Sequence, residues 1–155
     1  MQITSYDSRF AVDIADLYHR SVHAIDNAIY SKVQKSAWAC TPPDYQMWIE
    51  RLSNTKPYLA VVNQQIVGFI ELELDGYIDC FYVAPEWQGQ GCGGQLYRHA
   101  EHIAQERRFK RLYVEASYVA RPVFEHYGFS VLKQNCVIRQ NVELVNFSMQ
   151  KQLGR

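Results

Sequence analysis

The chain has 155 residues, enough for one compact domain, and its 48% hydrophobic and 21% charged residues are ordinary for a soluble globular protein. Lysine plus arginine balances aspartate plus glutamate at 16 each, which leaves no electrostatic footprint for a nucleic acid or an anionic membrane. No basic-then-apolar leader or bilayer-length apolar run is present, and the four scattered cysteines (Cys40, Cys80, Cys92, Cys136) form no CxxC pair, which argues against a zinc site or disulfide framework and suits a reducing cytoplasm.

In chain order, residues 2–6 read as a short strand. Asp7 or Ser8 then caps a helix in which Phe10, Ile14, Leu17 and Ile25 follow helical spacing. Pro42-Pro43 interrupts, and Asp44 can cap a second helix carrying Tyr45, Trp48, Ile49 and Leu52. After Pro57 the character changes: YLAVVN and IVGFIELEL read as strands, Asp75-Gly76 is a hairpin signal, and YIDCFYVA is the next strand. A glycine-rich loop follows Pro85, then a helix on Leu96, Ala100 and Ile103 running to about Arg108. RLYVEA is a strand, Ala120 to Tyr127 a short helix stopped by Gly128, and 129–139 with 142–150 a terminal hairpin. The order β-αα-β-β-β-α-β-α-β-β describes a mixed α/β domain spanning 1–155.

Four of the eight glycines fall between positions 89 and 94. Gly89, Gly91 and Gly94 satisfy GxGxxG, which raises an NAD(P)-binding oxidoreductase as one reading. That motif needs a tight strand-to-helix turn opening a series of βαβ units. Here hairpin-like strands precede the loop, Pro85 intervenes, and the closing strands look antiparallel. Glu115, near the ribose-binding distance, is weak support. No Lys-Ser or Lys-Thr follows the last glycine, so the loop is not a P-loop. The physical logic survives with another ligand: glycines at a helix N-terminus turn unsatisfied N–H groups toward an anion, and no basic side chain is required.

Read from Gln88, the spacing is Gln88-x-x-Gly91-x-Gly93, and the segment IDCFYVAPEWQGQGCGGQLYRHAE resembles the cofactor motif of the GCN5-related N-acetyltransferases. The resemblance extends over almost the whole chain. ARPVFEHYGF matches the family's second signature, a short helix ending in Gly128-Phe129, and VELVNFSMQK looks like the closing strand of small single-domain bacterial members. It implies a GNAT-like, mostly antiparallel central sheet with helices on both faces.

The resemblance also implies acetyl-CoA as cosubstrate, with direct transfer to the amine of a small molecule or peptide. Main-chain groups of Phe81, Tyr82 and Val83 would hold the pantetheine arm. An N–H near Tyr82 or Val83 would polarise the thioester carbonyl, and Gln88, Gly89, Gln90, Gly91, Cys92, Gly93 and Gly94 would cradle the pyrophosphate. Ser117 stands where many members have an asparagine that contacts the cofactor. Phe124 stands where many have the tyrosine that protonates the leaving thiolate, and it cannot donate a proton. This departure keeps a second reading open, an acyl-CoA-binding sensor with little turnover.

For the base, Glu71 and Glu73 share one strand face, and a two-residue Asp75-Gly76 turn would set Glu71 opposite Cys80; the alternative is two solvated carboxylates on a half-exposed sheet. Asp79, a third candidate, falls on the core-facing side in that register. Tyr127, one turn beyond Phe124, is a candidate acid. Tyr30 and Trp38 lie in the segment that walls the acceptor pocket of this fold, as cage or as core. Cys92 reads as packing. The pairs His19/His23 and His99/His102 lack a third ligand, so no metal is expected. A homodimer stays open.

Overall fold

The computed structural model describes residues 1–154, so the last residue of the expected domain, Arg155, lies outside the described residues. In chain order the elements are β1 (Gln2–Thr4), a 3-10 turn at Ser8–Phe10, α1 (Ala11–His23), α2 (Lys32–Trp38), α3 (Tyr45–Thr55), β2 (Tyr58–Val62), β3 (Gln65–Leu72), β4 (Tyr77–Val83), a 3-10 turn at Pro85–Trp87, α4 (Cys92–Glu106), β5 (Arg111–Ala116), α5 (Ala120–His126), β6 (Ser130–Arg139) and β7 (Val142–Gln152). The seven strands form one sheet ordered β1-β2-β3-β4-β5-β7-β6. Every neighbouring pair is antiparallel except β4 and β5. A parallel pair needs a crossover connection, and α4 supplies it.

Helices cover both sheet faces. On one, Leu96, Ala100 and Ala104 of α4 pack on Ile70, Leu112 and Phe129. On the other, Ile14 and Leu17 of α1 and Leu52 of α3 pack on Leu59 and Phe69. Because β3 is covered on both sides, its residues from Val67 to Leu72 are all buried, and the expected half-exposed sheet around Glu71 is not found.

The N-terminal segment holds one more helix than expected. α1 ends at His23, before Ile25, and α2 starts with a capping box: Ser31 Oγ accepts from Gln34 N–H while the Gln34 side chain accepts from Ser31 N–H. Asp44 caps α3 as expected, accepting from Met47 N–H at 3.0 Å.

The β3–β4 hairpin differs from the expected two-residue turn. Glu73 N–H donates to Tyr77 O at 2.8 Å, which leaves Leu74, Asp75 and Gly76 in the loop. Leu72 pairs with Ile78, yet Ile70 pairs with Phe81, so β4 carries a bulge that sets Asp79 and Cys80 together opposite Glu71. The longer loop and the bulge are each worth one residue and cancel. Beyond the bulge the strands follow the register expected of the shorter turn.

Candidate functional site

The parallel strands β4 and β5 are paired at only two positions, Tyr77 with Tyr113 and Ile78 with Val114, and then they part. Ala84 N–H donates to Val67 O at 2.8 Å, and Tyr82 pairs with Phe69. Strand alternation therefore directs the main-chain groups of Phe81 and Val83 away from β3, into the opening beside β5. Tyr82, expected as a carbonyl-polarising donor, is turned toward β3 instead. Val83 O accepts from Ser21 Oγ and from Gln88 Nε2, each at 3.1 Å.

A cavity of about 310 Å³ runs into this opening. Of the residues singled out from sequence, Phe81, Tyr82, Ser117, Phe124, Tyr30 and Trp38 line it. Phe124 is 2% exposed and meets Phe81 edge-on at 5.9 Å, an apolar wall with no proton donor. Ser117 Oγ accepts from Ala120 N–H at the start of α5. Tyr30 is a staple more than a cage wall: its hydroxyl donates to Val145 O at 3.0 Å and accepts from Tyr118 N–H at 2.9 Å. Its ring and that of Trp38 meet edge-on at 5.3 Å.

The glycine loop stands next to the opening. Gly91 is the N-cap of α4 with φ near +85°, a left-handed conformation that disfavours any Cβ, and no side chain caps this helix end. Gly91 O accepts the first helical bond, from Gln95 N–H at 3.1 Å, so the N–H groups of Cys92, Gly93 and Gly94 have no partner within the helix. A side chain at Gly93 would sit 3.5 Å from Val83 Cγ2 and 3.6 Å from Phe81 Cζ, which brings these donors close beside β4. The side chains of Gln88 and Gln90 are turned back to brace the loop, on Val83 O and Glu86 O. Cys92 is buried, and burial pushes its thiol up, the opposite of a reactive thiolate.

The candidate base residues separate. Glu71 is 0% exposed and saturated: Arg51 reaches it through Nε at 3.2 Å and Nη2 at 2.6 Å, and Thr55 Oγ1 donates at 2.6 Å. Glu73 is exposed at the turn; partial burial and the neighbouring Asp79, Glu71 and Asp75 carboxylates hold its carboxyl above the usual range. Tyr127 lies outside the cavity lining and stacks on Tyr97 with ring centroids 4.1 Å apart; burial pushes its phenol up.

Asp79 is the carboxylate of this group that faces the cavity. The bulge turns it away from the core-facing side expected of it; it is 32% exposed and pairs with Arg51 Nη2 at 2.8 Å. Glu71, Asp79 and Cys80 bring three potential metal-ligand side chains together, and all three converge on Arg51, whose Nη2 lies 3.3 Å from Cys80 Sγ. The histidines of the first pair lie with rings 4.2 Å apart, His19 bonded to Thr41 and His23 to Ala39 O.

A family model described as "Acetyltransferase (GNAT) domain" matches residues 27–152. The chain belongs to the GNAT acetyltransferases. It is 33% identical over 149 residues to the uncharacterized N-acetyltransferase YafP of Escherichia coli K12, covering 96% of this chain and 94% of that protein. A GCN5-related N-acetyltransferase structure from Rhodopseudomonas palustris superposes with a TM-score of 0.91 at 28% identity, over 97% of this chain and 94% of the other. The PaiA N-acetyltransferase of Thermoplasma acidophilum, solved with coenzyme A, has the same fold, with a TM-score of 0.76 at 18% identity over 98% and 99% of the two chains.

Two residues of this GNAT site escaped the sequence reading. Arg51 gives no local signal, because its partners lie 20 or more residues away. Gly68 on β3 was visible only as a glycine inside a strand pattern. A Cβ there would fall 2.9 Å from Leu96 Cδ1 and 3.1 Å from Tyr82 O, so its absence lets the first turns of α4 approach the sheet.

Proposed function

We propose that residues 1–155 form a single acetyl-CoA-dependent N-acetyltransferase domain that passes the acetyl group directly to an amine. The observation that carries this reading is the opening between β4 and β5, with unpaired α4 N–H groups beside it. A pantetheine arm can pair with Phe81 and Val83 as a strand pairs with a sheet edge, while the amides of Cys92, Gly93 and Gly94 take the pyrophosphate. GNAT membership and the coenzyme A bound by the related fold support the same ligand.

The N–H of Phe81 or Val83 is placed to stabilise negative charge on the acetyl oxygen. Among the candidate bases Asp79 lines the cavity, so it attracts the ammonium form of the acceptor and takes up its proton through water. The neutral nitrogen bonds to the acetyl carbon, the carbon–sulfur bond breaks, and the proton the nitrogen sheds on becoming an amide passes through water to the departing thiolate, because Phe124 has none to give. Glu71 acts through Arg51 as a positioning residue for Asp79.

Two measurements test the proposal. Thermal unfolding with acetyl-CoA, CoA or NAD(H) should show stabilisation by the CoA species, since a ligand bound by the native state raises apparent stability. Stabilisation by NAD(H) alone would overturn it. Release of CoA thiol across a panel of amines separates the enzyme from the sensor reading that Phe124 keeps open; binding without release would support the sensor.

A further inference from the structure

We propose that the acceptor is an amino acid, an amine that also carries a carboxylate, and that Arg139 is the specificity-determining residue binding that carboxylate. This inference rests on the acetyltransferase reading and names its substrate class.

The cavity lining contains two arginines, and they differ in what occupies them. Arg51 is held through Nε and Nη2 by Glu71, Asp79 and Cys80, so its charge is already matched by two carboxylates. Arg139, at the hairpin end of β6 where it pairs with Val142, is exposed at the cavity, and its side chain makes no ion pair or hydrogen bond among the described residues. Val137, two positions earlier on the same strand face, lines the cavity with it, which shows that this face of β6 looks inward.

The surroundings of Arg139 suit an anion. The phenols of Tyr18 and Tyr82 are near enough that its charge opposes the rise that burial imposes on both. Tyr18 donates to Trp38 O at 3.3 Å, which adds a polar group to the lining it shares with Arg139. A guanidinium presents a planar fork that fits a carboxylate with two parallel hydrogen bonds.

Three carboxylates line the cavity, and each is engaged: Asp44 caps α3 by accepting from Met47 N–H at 3.0 Å, Asp79 at the β4 bulge pairs with Arg51, and Glu115 on β5 is bonded by Asn135 Nδ2 at 3.1 Å and Ser148 Oγ at 2.7 Å. A molecule that carries both an ammonium and a carboxylate finds a carboxylate, Asp79, and an unpaired guanidinium, Arg139, in the lining of one cavity. A diamine would set its second cation against Arg139, and that repulsion rejects it.

The test is CoA-thiol release by the full chain with acetyl-CoA and matched sets of acceptors: free amino acids, their methyl esters, and the corresponding amines without a carboxyl group. The free acids should have kcat/KM about 10-fold or more above their esters and amines, the size expected of a charge-assisted bidentate pair. Arg139→Gln should raise KM for the acids about 10- to 100-fold, leave kcat within about threefold, and abolish the preference for acids. Arg139→Lys should recover part of it. Stabilisation of Arg139→Gln by acetyl-CoA should match the parent, which shows that the variant is folded with its cofactor site intact. Turnover of esters or simple amines as good as that of the acids, or an acid preference retained in Arg139→Gln, overturns the inference and leaves the acetyltransferase reading standing. No turnover with any member of the panel overturns both.

Discussion

Glu71→Gln isolates what the buried carboxylate contributes. The substitution keeps the volume and one acceptor oxygen but turns an amide N–H₂ toward a guanidinium that also donates. Removing one partner of a buried ion pair typically costs about 3–5 kcal/mol. Here the cost is reduced, because Arg51 is 29% exposed and keeps Asp79 at 2.8 Å, so water and a second carboxylate take up part of the lost charge. About 2–3 kcal/mol remains, which for a chain of 155 residues corresponds to a fall in Tm of roughly 5–10 °C. Asp79→Asn is the internal control. It touches the same arginine from the solvent side, where an ion pair is worth at most about 1 kcal/mol, or roughly 3 °C. Calorimetry or circular dichroism melts of both variants at one pH give the comparison. A Glu71→Gln melt within about 2 °C of the Asp79→Asn melt would refute the reasoning, because burial would then not be what separates the two carboxylates.

Gly68→Ala places a methyl against Leu96, Cys92 and the Tyr82 carbonyl; overpacking there should cost about 1–3 kcal/mol and weaken stabilisation by acetyl-CoA, both read from melts with and without ligand. Tyr30→Phe leaves Val145 O and Tyr118 N–H without their shared partner, and urea unfolding should show a loss of about 1–3 kcal/mol with an unchanged m-value. Gly91→Ala forces a Cβ into the left-handed region at a cost of roughly 1–2 kcal/mol and should lower affinity for CoA, measured by calorimetric titration. His99 is held below its ordinary value, first by burial and then by His102. Its contribution to stability is therefore full above the unfolded value of about 6.5 and is lost as pH falls through its lower folded value. An imidazole proton resonance titrating at or above 6.5 would contradict this.

Local chemistry made much of the fold readable. Hydrophobic period, caps and glycine stops are interactions within a few residues, and they locate β5 at Arg111–Ala116, the cap at Asp44 and the stop at Gly128. Even the missed helix α2 had a local mark, the Ser31/Gln34 capping box, masked by the polar run around it. The glycine loop was legible for the same reason, since a helix N-terminus without side-chain caps is written in contiguous residues. The carboxylates were not. Whether Glu71 is a base or a buried partner depends on Arg51, brought beside it by α3 packing on the sheet, and on a bulge that no turn residue announces. The direction of Asp79 reverses with a one-residue slip, because side chains alternate along a strand.

The sequence alone pointed to the family, to the element order apart from α2, and to a glycine-rich helix N-terminus after β4, because these rest on short-range spacing. Only the tertiary structure decided which carboxylate faces the cavity, which arginine is occupied and which is free, and where the sheet opens. Those depend on contacts between residues far apart in the chain, and such contacts exist only once the two helical layers have closed on the sheet.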